Sequence, residues 1–414
     1  MIIAQLAAFC LASILSATPA VPLVLTDAGS VAITAGPTLL AETSVAVDPT
    51  NSDHIVVLTD RYGLPTTIVM AESFDGGRGW SRGRPIVPPG FTTTYDSAVH
   101  FTSSGELIVA GGAARPTSPG CNADSSIFVA DVQASGRLSY RLVRSVSGLN
   151  LFTDRPALAV DKLSGAEFVS WTESSGSLAA CRGRPARSFT QVSRAERGET
   201  FSTPVRVPSS GLPAPYGSAL ALSDGGSLSV AVGEYGPSGI SRLVVTESLD
   251  RGGTFTAPVV LATRPAVVRR WKWRGWVSAV PSLTAAYGRV AVSWVDTSGG
   301  RQTPMVFERT ALGWVDVRPR TYPTGDVLLT TVRLGFDGTV WLASASISGS
   351  SIIFAIDLRR DGWGGPQAVA SSPATLRELG ELIGFDSAGS TMSMAVPIDA
   401  ADRSAVVVFR ASIA

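Results

Sequence analysis

The stretch SFDGGRGW at residues 73–80 decides the fold, because its pattern returns further along the chain. SLDRGGTF at residues 248–255 has the Ser, the Asp, a Gly and the terminal aromatic residue at the same spacing. RAERGETF at residues 194–201 is a degraded copy, in which Arg replaces Ser and Glu replaces Asp. A motif that recurs inside a longer repeat of about 40–60 residues indicates stacked or radially arranged units.

The residue types of the motif favour a structural role. The Asp side chain can accept hydrogen bonds from nearby backbone N–H groups and close a tight turn. The Gly four residues after the first position supplies a backbone conformation that other residues avoid. The terminal Trp or Phe is a large apolar anchor between sheets. The positions assigned to this role are Ser73, Asp75, Gly77 and Trp80, then Glu196, Gly198 and Phe201, and finally Ser248, Asp250, Gly252 and Phe255.

Length and composition favour an all-β protein. The chain has 414 residues, of which 45% are hydrophobic and 16% charged, so it can bury several cores or one large closed architecture. Its 42 glycines and 26 prolines suit many turns. The net charge of +1 gives no excess of positive charge, and we therefore expect no nucleic-acid partner.

Seven repeats follow one another along the chain. Each opens with an apolar strand that runs into a polar turn, at residues 44–48, 97–101, 156–161, 218–222, 281–286, 332–337 and 382–386. Alternating apolar and polar positions with β-branched residues indicate further strands after each opening. We predict one seven-bladed β-propeller over residues 21–414, with six blades as the alternative. The seventh repeat ends after its third strand, so the segment near residues 31–34 is expected to close the ring.

A propeller sorts its loops between two faces. The predicted Asp-bearing turns join third to fourth strands and lie on one face. The loops between second and third strands share the opposite face with the links between blades. Ligands usually enter propellers there, at the mouth of the central channel, so we expect a functional site on that face.

The N-terminal residues and the cysteines indicate an exported protein. Residues 1–20 are predicted to be a secretory signal peptide, because residues 2–17 are apolar and Ala17-Thr18-Pro19-Ala20 is typical of a cleavage site. No later stretch is long and apolar enough to span a membrane. Cys121 and Cys181 then remain, and two cysteines in an exported protein favour a disulfide, here between neighbouring blades. We expect a secreted monomer.

Several acids, tyrosines and arginines fall on the predicted ligand face. The candidate catalytic residues are Asp96, Asp154, Arg155, Tyr216, Glu234 and Tyr235, and two further cations, Arg61 and Arg115, are candidates for substrate binding. Arginine matches a carboxylate with a planar fork of donors, so a converging set would favour an anionic sugar. The alternative for Arg155 is a structural pair with Asp154 that fastens the link between blades.

The longest link between blades combines aromatic and basic residues. It lies between the fourth and fifth repeats, and its candidate binding residues are Trp271, Lys272, Trp273, Arg274 and Trp276. Aromatic rings stack on sugar faces, and adjacent cations hold acidic groups. The alternative is a surface flap whose tryptophans pack on the propeller. With only His54 and His100 in the chain and no metal-ligand spacing, we expect no metal or cofactor.

The repeats and the Asp-bearing turns resemble the sialidase superfamily of β-propellers with BNR (Asp-box) repeats, and in particular its secreted bacterial members. The resemblance covers nearly all of the chain after residue 20. It implies a glycoside hydrolase with its site on the face away from the Asp boxes, acting on anionic glycans such as sialic or uronic acids. Arg155 would then help to clamp the carboxylate, Asp96 or Asp154 would be the acid, and Tyr216 or Tyr235 with Glu234 would form the nucleophile pair.

Two other functions stay open. The Arg-Ile-Pro motif of exo-sialidases does not occur in the chain, which leaves room for a non-catalytic propeller that binds glycan or protein in the extracellular space. A polysaccharide lyase would need a histidine base. His54 is expected in a turn on the Asp-box face, and His100 within an inner strand that lines the core or the channel.

Overall fold

The computed structural model describes residues 23–25, 29–35, 38–118, 121–147, 151–175, 187–236, 239–265, 280–298, 301–319, 322, 325–335, 337–360, 362–373, 383–388, 391–400 and 403–413. Within these ranges the protein forms 29 β-strands and no helix. The strands make seven small antiparallel sheets. No helix that could cross a membrane is found in this described part of the chain.

Each sheet is one blade. β1 (Leu23–Leu25) and β2 (Ser30–Thr34) come first in the chain and belong to blade 7. Blades 1 to 3 consist of β3 (Leu39–Asp48), β4 (Asn51–Tyr62), β5 (Thr67–Ser73) and β6 (Arg84–Ile86); β7 (Thr93–Phe101), β8 (Leu107–Ser118), β9 (Cys121–Val132) and β10 (Leu138–Ser147); and β11 (Leu151–Val160), β12 (Glu167–Ser175), β13 (Arg187–Ala195) and β14 (Val205–Arg206).

The remaining blades follow in the same order. Blades 4 to 6 consist of β15 (Ala214–Leu222), β16 (Leu228–Tyr235), β17 (Ile240–Ser248) and β18 (Val259–Pro265); β19 (Ser282–Ala286), β20 (Arg289–Asp296), β21 (Thr303–Thr310) and β22 (Gly313–Asp316); and β23 (Asp326–Leu334), β24 (Val340–Ser348), β25 (Ser351–Arg359) and β26 (Gln367–Pro373). Blade 7 has β27 (Gly384–Ala388), β28 (Thr391–Ala400) and β29 (Arg403–Ile413). The inner strands β3, β7, β11, β15, β19, β23 and β27 contact one another in turn, and β27 contacts β3. The predicted seven-bladed propeller is therefore confirmed, and the six-bladed alternative is wrong.

The ring closes through the first and last strands of the chain. β29 pairs antiparallel with β1 through Leu25↔Ala411, and with β2 through Val31↔Val407 and Thr34↔Ala405. The two N-terminal strands thus fill the outer position of blade 7, as predicted for the segment near residues 31–34. Pairing of the two ends covers the outer edge of β29, which would otherwise stay open.

The core lies between the blades. A tryptophan in the second strand of a blade is fully buried at three of these interfaces: Trp171 between blades 2 and 3, Trp294 between blades 4 and 5, and Trp341 between blades 6 and 7. Apolar residues alternate along the strands so that both faces of each sheet contribute to such a cluster, which is why the sheets pack face to face around the ring.

The first Asp box closes its turn with side-chain hydrogen bonds. The Ser73 hydroxyl donates to Asp75 Oδ1 at 2.9 Å and accepts from the backbone N–H of Gly77 at 2.8 Å. The N–H of Gly79 donates to Asp75 Oδ1 at 2.8 Å. Gly77 has a φ of 91°, which a side chain would strain. Trp80 Nε1 donates to the Ser30 hydroxyl at 3.1 Å, so this Asp box joins blade 1 to the closing strand β2.

The second Asp box repeats this geometry between β17 and β18. The Ser248 hydroxyl donates to Asp250 Oδ1 at 2.7 Å and accepts from the N–H of Gly252 at 2.7 Å. The N–H and hydroxyl of Thr254 donate to the two oxygens of Asp250, at 2.8 and 2.7 Å. These bonds, led by the one from the backbone N–H of Thr254, lower the pKa of Asp250 to about 2. The ring of Phe255 packs against the cluster between blades 3 and 4.

The degraded copy forms a turn that does not depend on hydrogen bonds to a carboxylate. Gly198 keeps a positive φ of 75°, and the turn is held by the backbone bond from Glu199 N–H to the Glu196 carbonyl at 2.9 Å. Arg194, at the Ser position, donates to the backbone carbonyl of Arg251 at 3.1 Å. The copy thus braces the Asp box of the next blade. Phe201 is buried between blades 2 and 3.

The predictions of a signal peptide and of a disulfide fall outside the described residues. The signal peptide at residues 1–20 lies outside them, and so do Cys181 and the side chain of Cys121. The secretory leader and the disulfide therefore stay predictions. Strands β8 and β9 of blade 2 form a hairpin of two 12-residue strands. This hairpin extends blade 2 on the face opposite the Asp boxes.

Candidate functional site at the channel mouth

A channel of about 340 Å³ runs through the centre of the ring. All seven inner strands, or residues next to them, line it, and most of the lining is aliphatic or hydroxylic. The charged side chains of the described lining occur at two levels. Asp96 and Arg155 lie at the end opposite the Asp boxes, which we call the mouth, and Lys162, Arg333 and Asp386 lie at the other end.

The inner strands of blades 1 to 4 share a bulge near the mouth. Their register with the second strand shifts between Ala41 and Ser44, Tyr95 and Ala98, Asp154 and Ala157, and Pro215 and Ser218. In blade 4 the bulge places a positive φ of 69° at Gly217, a conformation that glycine adopts without strain. In blades 1 to 3 the residues with positive φ are Glu42, Asp96 and Arg155, at 53°, 52° and 56°. A left-handed conformation costs a non-glycine residue on the order of 1–3 kcal/mol.

The three strained residues meet across blades. Arg155 Nη1 lies 3.2 Å from Glu42 Oε2, and Arg155 Nε lies 3.7 Å from Asp96 Oδ2. The backbone N–H of Arg155 also donates to Asp96 Oδ2 at 3.2 Å. The guanidinium carbon of Arg155 is 5.6 Å from the centre of the Tyr216 ring, which is close enough for a cation–π contact.

Two further acids complete this group, which we call the mouth cluster: Glu42, Asp60, Asp96, Asp154 and Arg155. Asp60, near the end of β4, accepts the backbone N–H of Asp96 on Oδ2 at 2.9 Å. Its other oxygen is buried and has no hydrogen-bond partner among the described residues. Burial raises the pKa of Asp60 well above its usual value, and the charges of Asp96 and Glu42 add to the shift.

Asp154 is the second acid held in its neutral form. Burial raises its pKa well above the usual value, and the nearby charge of Asp96 raises it further. A hydrogen bond joins the carboxyl groups of Asp154 and Asp96. Two carboxyl groups this close share a proton, because both cannot ionise at low cost. The mouth cluster therefore holds a proton donor beside a carboxylate.

Tyr95 closes the wall between blades 2 and 3. Its hydroxyl donates to the Thr153 carbonyl at 2.8 Å, and its ring stacks on Phe152 at 5.5 Å. Burial raises the pKa of Tyr95 well above 10, so the phenol stays neutral. Gly112 faces the ring, and a Cβ there would lie 2.2 Å from a ring carbon of Tyr95. Only a glycine allows this approach, which fixes the tyrosine beside the cluster.

The structure brings together four of the six predicted catalytic residues: Asp96, Asp154, Arg155 and Tyr216. The other two, Glu234 and Tyr235, end strand β16. Glu234 is buried and accepts the backbone N–H of Ser210 at 2.9 Å and the Ser210 hydroxyl, while Arg242 donates to the Ser210 carbonyl at 3.2 Å. Glu234 thus belongs to a separate hydrogen-bonded group within blade 4. Its role as partner of a tyrosine nucleophile stays a prediction.

The predicted substrate-binding cations of blades 1 and 2 have local partners. Arg61 is exposed and donates to the Thr67 hydroxyl at 3.3 Å. Arg115 lies over the Phe91 ring at 5.0 Å, donates to the carbonyl of Gly90, and has a carboxylate oxygen of Asp124 at 3.9 Å. Residues 266–279 lie outside the described part of the chain, so Trp271, Lys272, Trp273, Arg274 and Trp276 cannot be placed.

Sequence reasoning missed Glu42 and Asp60. A signal for Glu42 exists, because the openings at Ser44, Ser97 and Pro156 follow Glu42, Asp96 and Arg155 by one or two residues. Aligning the repeats on these openings would have grouped the three. Asp60 gives no such signal, since an Asp near a strand end is ordinary. Among the described residues, no group of three or more His, Cys, Asp or Glu side chains is arranged to hold a metal ion.

Comparison with known proteins supports the fold. No family model and no curated protein sequence matches the chain. An α-L-arabinanase from Penicillium chrysogenum, solved with arabinobiose, superposes with a TM-score of 0.52 at 13% identity, over 92% of this chain and 98% of that chain. A PL25 ulvan lyase bound to a GlcA–Rha3S oligosaccharide gives 0.52 at 9% identity, over 90% and 95%.

A sialidase also resembles the protein, but less closely. The Hadza microbial sialidase Hz136 gives a TM-score of 0.48 at 15% identity, over 87% of this chain and 73% of that chain. These neighbours are named for activities on glycans. At such identities the likeness shows the fold alone, and it is not specific to sialidases.

Proposed function

We propose that the protein binds and processes a glycan at the channel mouth, with the mouth cluster as its reaction centre. One observation carries the proposal: Glu42, Asp96 and Arg155 are ionisable, strained and placed at equivalent bulges of three successive blades. Strain of this kind persists only where the surroundings enforce it, and it concentrates at functional sites. The propeller neighbours that act on glycans support the choice of substrate class.

Asp154 is the proton donor in this proposal. Its raised pKa keeps a proton on the carboxyl group at pH values where an ordinary Asp is ionised, which a general acid requires. When this proton leaves, the hydrogen-bonded pair of Asp154 and Asp96 gains one negative charge, and Arg155, whose Nε lies 3.7 Å from Asp96 Oδ2, offsets part of it. The two carboxyl groups therefore act as one unit.

A second reactive group must come from elsewhere, because the two carboxyl groups of a glycosidase are usually separated by about 5–9.5 Å and a hydrogen-bonded pair is closer. Tyr216 is the predicted nucleophile that lies against the cluster, with its ring 5.6 Å from the Arg155 guanidinium carbon. An attacking tyrosine beside a proton-donating Asp matches the sialidase-like scheme that the sequence indicates. In that scheme a glutamate takes the tyrosine proton, and in this proposal Glu42, which pairs with the same Arg155, has that role.

The choice between anionic and neutral glycans depends on charge. Glu42 and Asp96 already neutralise Arg155, and the mouth cluster contains four acids and one arginine. This cluster by itself favours an uncharged sugar ring. The anionic glycan predicted from sequence needs further cations, which Lys272 and Arg274 of the blade 4–5 link would supply.

Activity on neutral and acidic glycosides and polysaccharides tests the proposal. New reducing ends report hydrolysis, and absorbance of a new double bond reports a lyase. We expect Asp154→Asn to lower the rate by about 10²–10⁴-fold, as for loss of a general acid, and to remove the alkaline decline of the rate. The matched control is Asp124→Asn, which changes a partly exposed carboxylate on β9 of the same face and should leave the rate unchanged.

Two outcomes would overturn the catalytic assignment. Full activity of Asp154→Asn would remove the cluster from the reaction. Binding on a glycan array without any product would identify the non-catalytic binding propeller that the sequence left open. Export of the protein is a further part of the proposal, and the N-terminal sequence of secreted protein, beginning at Val21, would support it.

A further inference from the structure

A second group of charged side chains lies at the other end of the channel, and the proposed reaction does not use it. It consists of His100 on β7, Lys162 after β11, Arg333 on β23 and Asp386 on β27, and we call it the lower cluster. These residues come from blades 2, 3, 6 and 7. Aliphatic and small residues of the inner strands separate them from the mouth cluster.

The cations of the lower cluster are incompletely neutralised. Arg333 Nε lies 3.6 Å from Asp386 Oδ1, which is a loose ion pair, and Arg333 Nη1 donates to the Val332 carbonyl at 3.0 Å. Asp386 Oδ2 is already bonded to the backbone N–H of Val47 at 3.0 Å. Lys162 is exposed and has no ion-pair partner among the described residues. The lower cluster thus contains two cations and one carboxylate, and that carboxylate already accepts a backbone hydrogen bond.

His100 adds a polar group without adding charge. Burial lowers the pKa of His100 to about 4, and the charges of Arg333 and Lys162 lower it further, against the opposing charge of Asp386. The imidazole also makes a hydrogen bond to the backbone of Leu158. Burial lowers the pKa of Arg333 as well. An anion between Arg333 and Lys162 would relieve both effects, because it restores the charge balance that burial makes costly.

We propose that the lower cluster binds a small oxyanion, held by Arg333 and Lys162 beside His100. Arginine and lysine in one concave site are the donors that phosphate and carboxylate groups prefer. The channel is large enough, since one water takes about 30 Å³ of liquid volume. The bound anion links blades 2, 3 and 6 across the axis, and it stabilises the ring by an amount that grows with the logarithm of its concentration relative to its Kd.

Imidazole NMR tests this site directly, because the chain has only two histidines. His54→Gln leaves the signal of His100 alone. Inorganic phosphate, added at pH 7 against chloride of equal ionic strength, should shift that signal saturably and raise the pKa of His100 by about one unit. Acetate in a parallel titration separates a carboxylate site from a phosphate site.

Three variants show which cations hold the anion. Arg333→Gln should weaken phosphate binding about tenfold or more, and Lys162→Gln should weaken it about threefold. Arg82→Gln is the matched control, since it removes an exposed positive charge outside the channel lining and should leave the affinity unchanged. Lys162 is exposed and makes no ion pair with any residue that the structure describes, so its variant keeps the test valid even if Arg333→Gln does not fold.

The proposal is overturned if neither phosphate nor acetate shifts the His100 signal saturably. It is also overturned if Arg82→Gln weakens binding as much as Lys162→Gln, because the effect would then be general screening. Neither result bears on the proposed glycan site, which lies at the opposite end of the channel and is measured by product formation.

Discussion

At the scale of single residues, the cluster at the mouth is defined by acids that stay protonated. Asp60 is completely buried and accepts a backbone N–H through one oxygen only. Such a carboxyl group binds its proton more tightly in the folded protein than in the unfolded chain. Its contribution to stability is therefore complete below the unfolded pKa near 4 and is lost as the pH rises through the raised folded pKa.

Asp60→Asn should remove this loss of stability at higher pH. Asparagine keeps the carbonyl that accepts the N–H of Asp96 but cannot ionise. We expect the free energy of unfolding of the variant, relative to the parent protein, to improve as the pH rises from 4 to 8, by at most about 1.4 kcal/mol per pH unit. Chemical denaturation at several pH values measures it. A difference that does not change with pH would mean that Asp60 ionises normally.

At the scale of turns and strands, the intact and the degraded Asp boxes differ in how far the acidic side chain stabilises the turn. Asp250 accepts three hydrogen bonds within its turn, from Ser248 and from the N–H and hydroxyl of Thr254. Glu196, at the corresponding position of the degraded copy, is exposed, and its side chain makes no such bond to any residue that the structure describes. The acidic side chain at this position therefore stabilises the turn in blade 4 but not in blade 3.

Asp250→Ala should lower the free energy of unfolding, as the loss of a capping side chain does. Glu196→Ala is the matched control and should change it by less than about 0.5 kcal/mol. Thermal unfolding of the two variants under one set of conditions gives the comparison. Equal losses would show that the carboxylate contributes nothing specific to the intact turn.

His54 adds a titratable contact on the Asp-box face. It lies in β4 rather than in the predicted turn, with Nδ1 3.1 Å from Asp48 Oδ2 and Nε2 3.6 Å from Glu72 Oε2. Burial lowers its pKa, but the attraction of the nearby Glu72 carboxylate and the hydrogen-bonded Asp48 outweighs this effect, so the pKa is raised. The stabilisation is therefore full below pH 6.5 and is lost as the pH rises through the folded pKa.

A titration of the His54 imidazole by NMR should give a pKa above 6.5. His54→Gln should remove the corresponding decline of thermal stability on the alkaline side. Persistence of the same decline in the variant would assign it to other groups, such as Asp60 and Asp154, whose sign is the same.

At the scale of the whole molecule, stability depends on how the last blade is completed. Ile33 on β2 is buried in a cluster with residues of blades 1 and 7, whereas Val31 on the same strand is 53% exposed. Ile33→Ala should cost about 2–5 kcal/mol and lower the temperature of the main unfolding transition. Val31→Ala, the matched control, should leave it nearly unchanged. A loss confined to a separate minor transition would mean that closure does not hold the whole ring.

The sequence predicted the ring better than the site. Periodic strands and repeated Asp boxes mark seven blades, because these features are local and recur. The mouth cluster depends on contacts between residues far apart in the chain, such as Glu42 and Arg155, and on bulges that an alternating pattern does not show. Asp154 and Arg155 were recognised as a neighbouring pair, whereas the link to Glu42 becomes visible only when three blades are brought together.

The pairing of β1 and β2 with β29 has a consequence for synthesis. Strands β1 and β2 leave the ribosome long before β29 and cannot pair until β29 is made, since all three lie in one sheet. Six blades can fold while the seventh still lacks its partner strands, and during that time the flanks of blades 1 and 6 stay uncovered. Any factor that shelters exposed strand edges would matter most in this interval, and its benefit would end once the two ends of the polypeptide meet.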